Sequence, residues 1–150
     1  MILTKKDIEK LLPHRDPFLF LDNCKIIEVG TKGIGYKKFL LSEYFFKGHF
    51  PENPIVPGVV LVETLAQTAG TVVSAGFDNN TEKSVLFMNI TKAKFRKPVL
   101  PNENIEFHVE IINKVKSVYK FGGKALKENL VVCEAEFSAM IIEGSIKEIL

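Results

Sequence analysis

The sequence has 150 residues, 46% of them apolar and 25% charged, with a formal net charge of +2 from 20 basic and 18 acidic side chains. That length suits one domain over residues 1–150, with a core large enough to need no covalent staples. The near-balanced charge excludes a general nucleic-acid binder, which carries a marked basic excess. Cys24 and Cys133 form neither a disulfide framework nor a metal-ligand spacing and read as small core residues. No apolar run has the length of a signal peptide or the ~20 residues that span a bilayer, so the expected compartment is the cytoplasm, without membrane insertion.

Thr4 followed by Asp7 resembles a helix-start box, and Ile8, Leu11 and Leu12 continue at helical spacing until Pro13, which predicts a short helix over Lys5 to Leu12. Phe18 to Val29 is rich in apolar and β-branched residues and predicts a strand, with a turn at Gly30 and a returning strand over Gly33 to Leu41. Ser42 to Gly58 holds Pro51, Pro54 and Pro57, so it forms no regular element throughout. It also carries Tyr44, Phe45, Phe46 and Phe50, and a loop that apolar must pack against something. Val59 to Ala75 is the one long helix: Val62, Leu65, Ala66, Ala69, Val72 and Val73 trace an apolar face, and Glu63, Gln67, Gly70 and Ser74 a more polar one. Gly76 to Asn80 ends it. Ser84 to Phe95, the alternating run from Asn104, Ser117 to Leu126 and the alternating run from Val131 predict four strands of an antiparallel sheet with one covered face. One apolar helix and one half-covered sheet bury each other most economically as an α+β fold, with a curved antiparallel sheet wrapped around the central helix.

The stretch from Gly48 to Gln67 holds the residues suited to chemistry. His49, on the aromatic loop, titrates nearest neutrality and is the natural general base. Glu63 lies in the first turns of an apolar helix, where burial would raise its pKa and let it hold a proton. Gly58, just before the expected helix, presents a backbone N–H where an oxygen gaining negative charge is best received. A base, an acid and an oxyanion donor together suit proton removal beside a thioester carbonyl and departure of a 3-hydroxyl group. The residue types alone also fit a helix-capping histidine and a surface glutamate.

The same stretch resembles the signature of the Z-type 3-hydroxyacyl-acyl-carrier-protein dehydratases of type II fatty-acid synthesis. Leu12-Pro13-His14-Arg15-Asp16-Pro17-Phe18-Leu19 resembles the N-terminal motif of that family, and Lys94-Phe95-Arg96-Lys97-Pro98-Val99 its third block. The resemblance covers nearly the whole chain in order and length. It implies the hot-dog fold, catalytic roles for His49 and Glu63, each from a different subunit of a dimer, and a thioester carbonyl bound by the Gly58 amide. It implies dimers or trimers of dimers, and no cofactor is expected; the three histidines are too scattered for a metal site, which needs three or four convergent ligands. The related A-type dehydratase–isomerases carry aspartate where this chain has Glu63, which argues against isomerase activity. His14 could serve as a third catalytic group, but beside two prolines it reads rather as structural, and His108, on the polar side of its strand, as exposed. Lys92, Lys94 and Arg96 alternate on one strand face with Lys97 beside them. They fit either a solvated edge that resists aggregation or a docking patch for acidic acyl carrier protein. Two rivals share the same features: a hot-dog thioesterase and a non-catalytic acyl-thioester binder, although binding alone requires neither His49 nor Glu63.

Overall fold

The computed structural model describes residues 1–77 and 83–148. The chain opens with a short strand, β1 (Ile2–Thr4), that runs directly into helix α1 (Lys5–Leu11). The helix-start box is formed: the Thr4 hydroxyl accepts from the Asp7 N–H at 3.3 Å, and the Asp7 carboxylate accepts from the Thr4 N–H at 2.9 Å. Strands β2 (Asn23–Glu28) and β3 (Lys32–Lys38) follow, then an irregular segment with one 3-10 turn (Tyr44–Lys47). Helix α2 (Gly58–Ser74) precedes β4 (Lys83–Phe95), β5 (Asn104–Val115), β6 (Val118–Lys127) and β7 (Leu130–Glu143). The expected helix end at Gly76-Phe77 is a turn, with Gly76 N–H on the Val73 carbonyl and Phe77 N–H on that of Ser74. The remainder of that expectation, Asp78 to Asn80, lies outside the described residues.

The seven strands of the described residues form one antiparallel sheet in the order β1-β2-β3-β5-β6-β7-β4. Helix α2 packs against β2 through β7, so the sheet wraps around it, and the architecture is the hot-dog fold that the resemblance implied. The alternation read in β5 and β7 sets the inward face: Ile105, Phe107, Val109, Cys133, Ala135, Phe137 and Ala139 are all buried. Helix and sheet approach very closely. A Cβ on Gly35 of β3 would lie 2.3 Å from the Thr68 hydroxyl of α2, so only glycine permits this contact.

Two expectations are revised. The strand expected from Phe18 begins only at Asn23. Leu19, Phe20 and Leu21 are fully buried, but their backbone is served by α2: the Phe20 N–H donates to Gln67 Oε1 at 2.9 Å, and the Phe18 carbonyl accepts from Gln67 Nε2 at 2.8 Å. The polar stripe of α2 is also not a solvent face, since Gln67 and Ser74 are buried and Glu63 nearly so. The helix buries hydroxyls as well, and satisfies them internally. Thr64, Thr68 and Thr71 each donate to the carbonyl four residues earlier, at 2.7–2.8 Å.

Candidate active site

His49 sits at the end of the aromatic segment, whose apolar side chains anchor the loop. Phe46 and Val56 are buried, and Val56 N–H donates to the Val99 carbonyl at 2.8 Å, tying the segment to the chain beyond β4. Around the histidine the backbone folds on itself. His49 N–H donates to the Phe45 carbonyl at 3.1 Å, and the His49 carbonyl accepts from Ile55 N–H at 2.9 Å. The imidazole stacks on the Phe50 ring, with centroids 4.2 Å apart, and Nδ1 lies 2.9 Å from the Ile55 carbonyl oxygen. A carbonyl only accepts, so Nδ1 carries the hydrogen and Nε2 is left with its lone pair, the form a general base requires.

Glu63 projects from the second turn of α2 into a small cleft of about 30 Å³ that it shares with His14, Gln67, Val85 and Phe87. Its Oε2 accepts from Gln67 Nε2 at 2.8 Å, and His14 Nε2 lies 3.5 Å from the same oxygen. The other ring nitrogen of His14 is buried with no hydrogen-bond partner among the described residues. The His14 ring therefore faces the glutamate, which neither its motif nor its position between prolines revealed. Gln67 was visible in the sequence only as one member of a polar stripe. Its role depends on contacts with residues nearly fifty positions earlier, which spacing does not disclose.

Gly58 is the first residue of α2, one residue earlier than expected. The preceding Pro57 supplies no side-chain cap, and its carbonyl accepts from the N–H groups of Val60 and Leu61. Among the described residues, no hydrogen bond uses the Gly58 N–H. The Phe95 ring covers this helix end, and a Cβ on Gly58 would lie 2.7 Å from it.

The structure brings Glu63, Gln67 and His14 together, but His49 and Glu63 of one chain make no hydrogen bond or ion pair with each other among the described residues. The basic stretch is partly neutralised. Glu134 of β7 takes Arg96 at 3.1 Å and Lys92 at 3.6 Å, and the Arg96 hydrogen bonds hold its carboxyl below the usual carboxylate range. Lys94 and Lys97 are exposed and make no ion pair among the described residues. His108 bonds Glu106 at 2.8 Å on the outer face of β5 and takes no part in the site. Both cysteines are buried, and burial pushes the Cys24 thiol up to about 12 and that of Cys133 to about 11. Among the described residues, no cluster of His, Cys, Asp and Glu suits a metal ion, and no helix is long and apolar enough to cross a membrane.

Comparison with known proteins bears on the family and the fold. A family model for the FabA-like domain matches residues 12–136. The 3-hydroxyacyl-acyl-carrier-protein dehydratase FabZ of Bradyrhizobium sp. (strain ORS 278) is 45% identical over 139 residues, covering 91% of each chain. The FabZ of Sulfurovum sp. (strain NBC37-1) is 39% identical over 148 residues, covering 95% of this chain and 99% of its own. Among solved structures, the dehydratase heterocomplex ApeI:P from Xenorhabdus doucetiae aligns with a TM-score of 0.76 at 12% identity, covering 95% of this chain and 93% of its own. A hypothetical thioesterase with coenzyme A from Streptococcus pneumoniae TIGR4 aligns at 0.64 and 15% identity, covering 92% of this chain and 96% of its own. At such identities these structures speak to the fold alone.

Proposed function

The chain belongs to the FabZ-type 3-hydroxyacyl-acyl-carrier-protein dehydratases, a family of hydro-lyases, and on that premise we propose that His49 and Glu63 are its acid–base pair. The substrate is a (3R)-3-hydroxyacyl thioester on acyl carrier protein, and the product is the trans-2-enoyl thioester. His49 Nε2 removes a proton from C2. Charge gathers on the thioester oxygen, which the Gly58 N–H receives at the positive end of α2. Glu63 gives its proton to the 3-hydroxyl group, which leaves as water while the C2–C3 double bond forms. One proton is taken and one given, so the reaction needs no cofactor. The observation that carries this reading is the Nδ1–H bond to the Ile55 carbonyl, which leaves Nε2 as the basic nitrogen of the neutral ring.

Each site is built from two chains, with His49 of one facing Glu63 of the other. The lack of any hydrogen bond or ion pair between the two groups of one chain, among the described residues, supports this. So does edge strand β4, which leaves Phe87, Met88, Ile90 and Phe95 each about half exposed. An apolar edge of that kind calls for a partner. The resemblance further implies trimers of such dimers. Residues 1–150 act as one dehydratase domain in the cytoplasm, and Lys94, Arg96 and Lys97 serve as the docking patch for an acidic carrier.

The test is turnover of 3-hydroxybutyryl-acyl carrier protein, with enoyl absorbance and free thiol read in parallel. Dehydration raises the absorbance and releases no thiol. Thiol release without enoyl formation would replace this reading with thioester hydrolysis.

A further inference from the structure

The orientation of the Gln67 side chain is forced by its neighbours. Its Oε1 lies 2.9 Å from the Phe20 N–H, a group that only donates, and its Nε2 lies 2.8 Å from the Phe18 carbonyl, a group that only accepts. The amide therefore has one possible assignment. Nε2 has a second hydrogen, and that hydrogen points at Glu63 Oε2, 2.8 Å away. All of the amide's hydrogens are committed, and the residue is buried.

Oε2 of Glu63 is thus an obligate acceptor. A proton on that oxygen would weaken the Gln67 bond, because a carboxyl hydroxyl oxygen accepts less well than the unprotonated oxygen, so the proton is favoured on Oε1. His14 Nε2 approaches the same oxygen, at 3.5 Å, whereas no hydrogen bond among the described residues reaches Oε1. We propose that Gln67 is a positioning residue that fixes the rotamer of Glu63 and confines its transferable proton to Oε1, the oxygen turned away from both neighbours. This rests on the reading of Glu63 as the acid. It also explains why the segment Phe18–Leu21, buried from Leu19 onward, bonds to a helix side chain instead of joining the sheet. That segment is the frame that holds the amide, and hence the acid, in one orientation.

The proton leaves from a defined atom, so a small loss of placement carries a large cost in rate: about 1 Å of misplacement costs ~10²-fold. Gln67 does not touch the reacting atoms in this account, so substrate binding is spared. Gln67→Leu is expected to lower kcat by about 10-fold or more, with KM for 3-hydroxybutyryl-acyl carrier protein within about twofold. Gln67→Glu is isosteric and retains the acceptor for Phe20 N–H. At neutral pH its carboxylate opposes Oε2 and removes the donor, so kcat should fall. As the pH is lowered the new carboxyl regains a hydrogen and activity should partly recover, relative to wild type measured over the same range. Glu63 and His14 are the titratable groups facing it, and the wild-type profile accounts for both. A folded Gln67→Leu protein with unchanged kcat and only a lowered Tm would overturn the proposal. So would Gln67→Glu with wild-type kcat, or with a loss independent of pH. Glu63→Gln, run alongside, separates the two levels. If it is inactive while Gln67→Leu is normal, the positioning role alone fails. If it is fully active, the assignment of Glu63 itself fails.

Discussion

At the scale of single residues, the base and the acid do different work, and losing each has a different consequence. His49→Ala should lose ~10²–10⁴-fold in turnover, the range a positioned base supplies, while the stability of the chain changes little, because the ring is only half-buried on a loop. Glu63→Asp is the more discriminating change at the other group. It retains the acid but withdraws it by one methylene from both Gln67 and the substrate, and a kcat loss approaching ~10²-fold is expected in the enoyl-absorbance assay. The two cysteines are predicted to be chemically silent. Their thiols are buried and pushed up to about 12 and about 11, so a thiol reagent at pH 8 should label the unfolded chain and spare the native one. Those shifts have a consequence for stability. A thiol that ionises at 9.0 when exposed and near 12 or 11 when buried binds its proton more tightly in the folded state. Its contribution is therefore fully present below about pH 9 and is lost as the pH rises through the folded values. The urea midpoint should fall above pH 9, and less steeply in a Cys24→Ala/Cys133→Ala variant.

At the scale of elements, the end of β4 and the two residues after it are the stretch most open to testing. Arg96 is held by Glu134 within the chain, so reversing its charge would disturb the β4–β7 contact as well as any docking. Lys94 and Lys97 are the cleaner probes. Lys94→Glu/Lys97→Glu should raise KM for carrier-bound substrate and leave a small soluble thioester unaffected, with the difference shrinking at high salt. Equal damage to both substrates would mean that the strand, not the carrier, needs these lysines. Elsewhere, close packing sets the limits. Gly35→Ala is expected to destabilise the chain by about 1–3 kcal/mol, read as a lowered urea midpoint, because its methyl group has no room beside Thr68. Much of this level was legible in the sequence. Helix α2 was placed to within a residue at each end, since its apolar period runs uninterrupted from Pro57 onward. The four C-terminal strands are likewise legible: β5 and β7 by the alternation that survives where one sheet face is covered, β4 as a long run closed by prolines and β6 as a run able to pair with β5. Strand β1, at three residues, is too short to show alternation. The segment from Phe18 has the composition of a strand but bonds to a side chain, and composition does not reveal the partner. The same limit explains the site. His49, Gly58 and Glu63 lie close together in one motif, whereas His14 and Gln67 acquire their relation to Glu63 only when the chain folds.

At the scale of the whole molecule, the central claim is that two chains make each site. A single chain holds His49 on a loop tied to Val99 and Glu63 in a separate cleft beside Gln67, with an apolar edge strand left half exposed between sheet and solvent. A symmetric pair would cover that edge and bring each base to the acid of the other chain. The most direct measurement uses two inactive variants, His49→Ala and Glu63→Gln, unfolded together in equal amounts and refolded. In a mixed dimer one site carries both substitutions and the other carries neither. Random pairing makes about half of all dimers mixed, so roughly a quarter of all sites should be intact, and turnover of 3-hydroxybutyryl-acyl carrier protein should return to about that fraction of wild type. If subunit exchange is verified by mass and activity stays at the level of the separate variants, both groups act from one chain and the shared-site account is wrong.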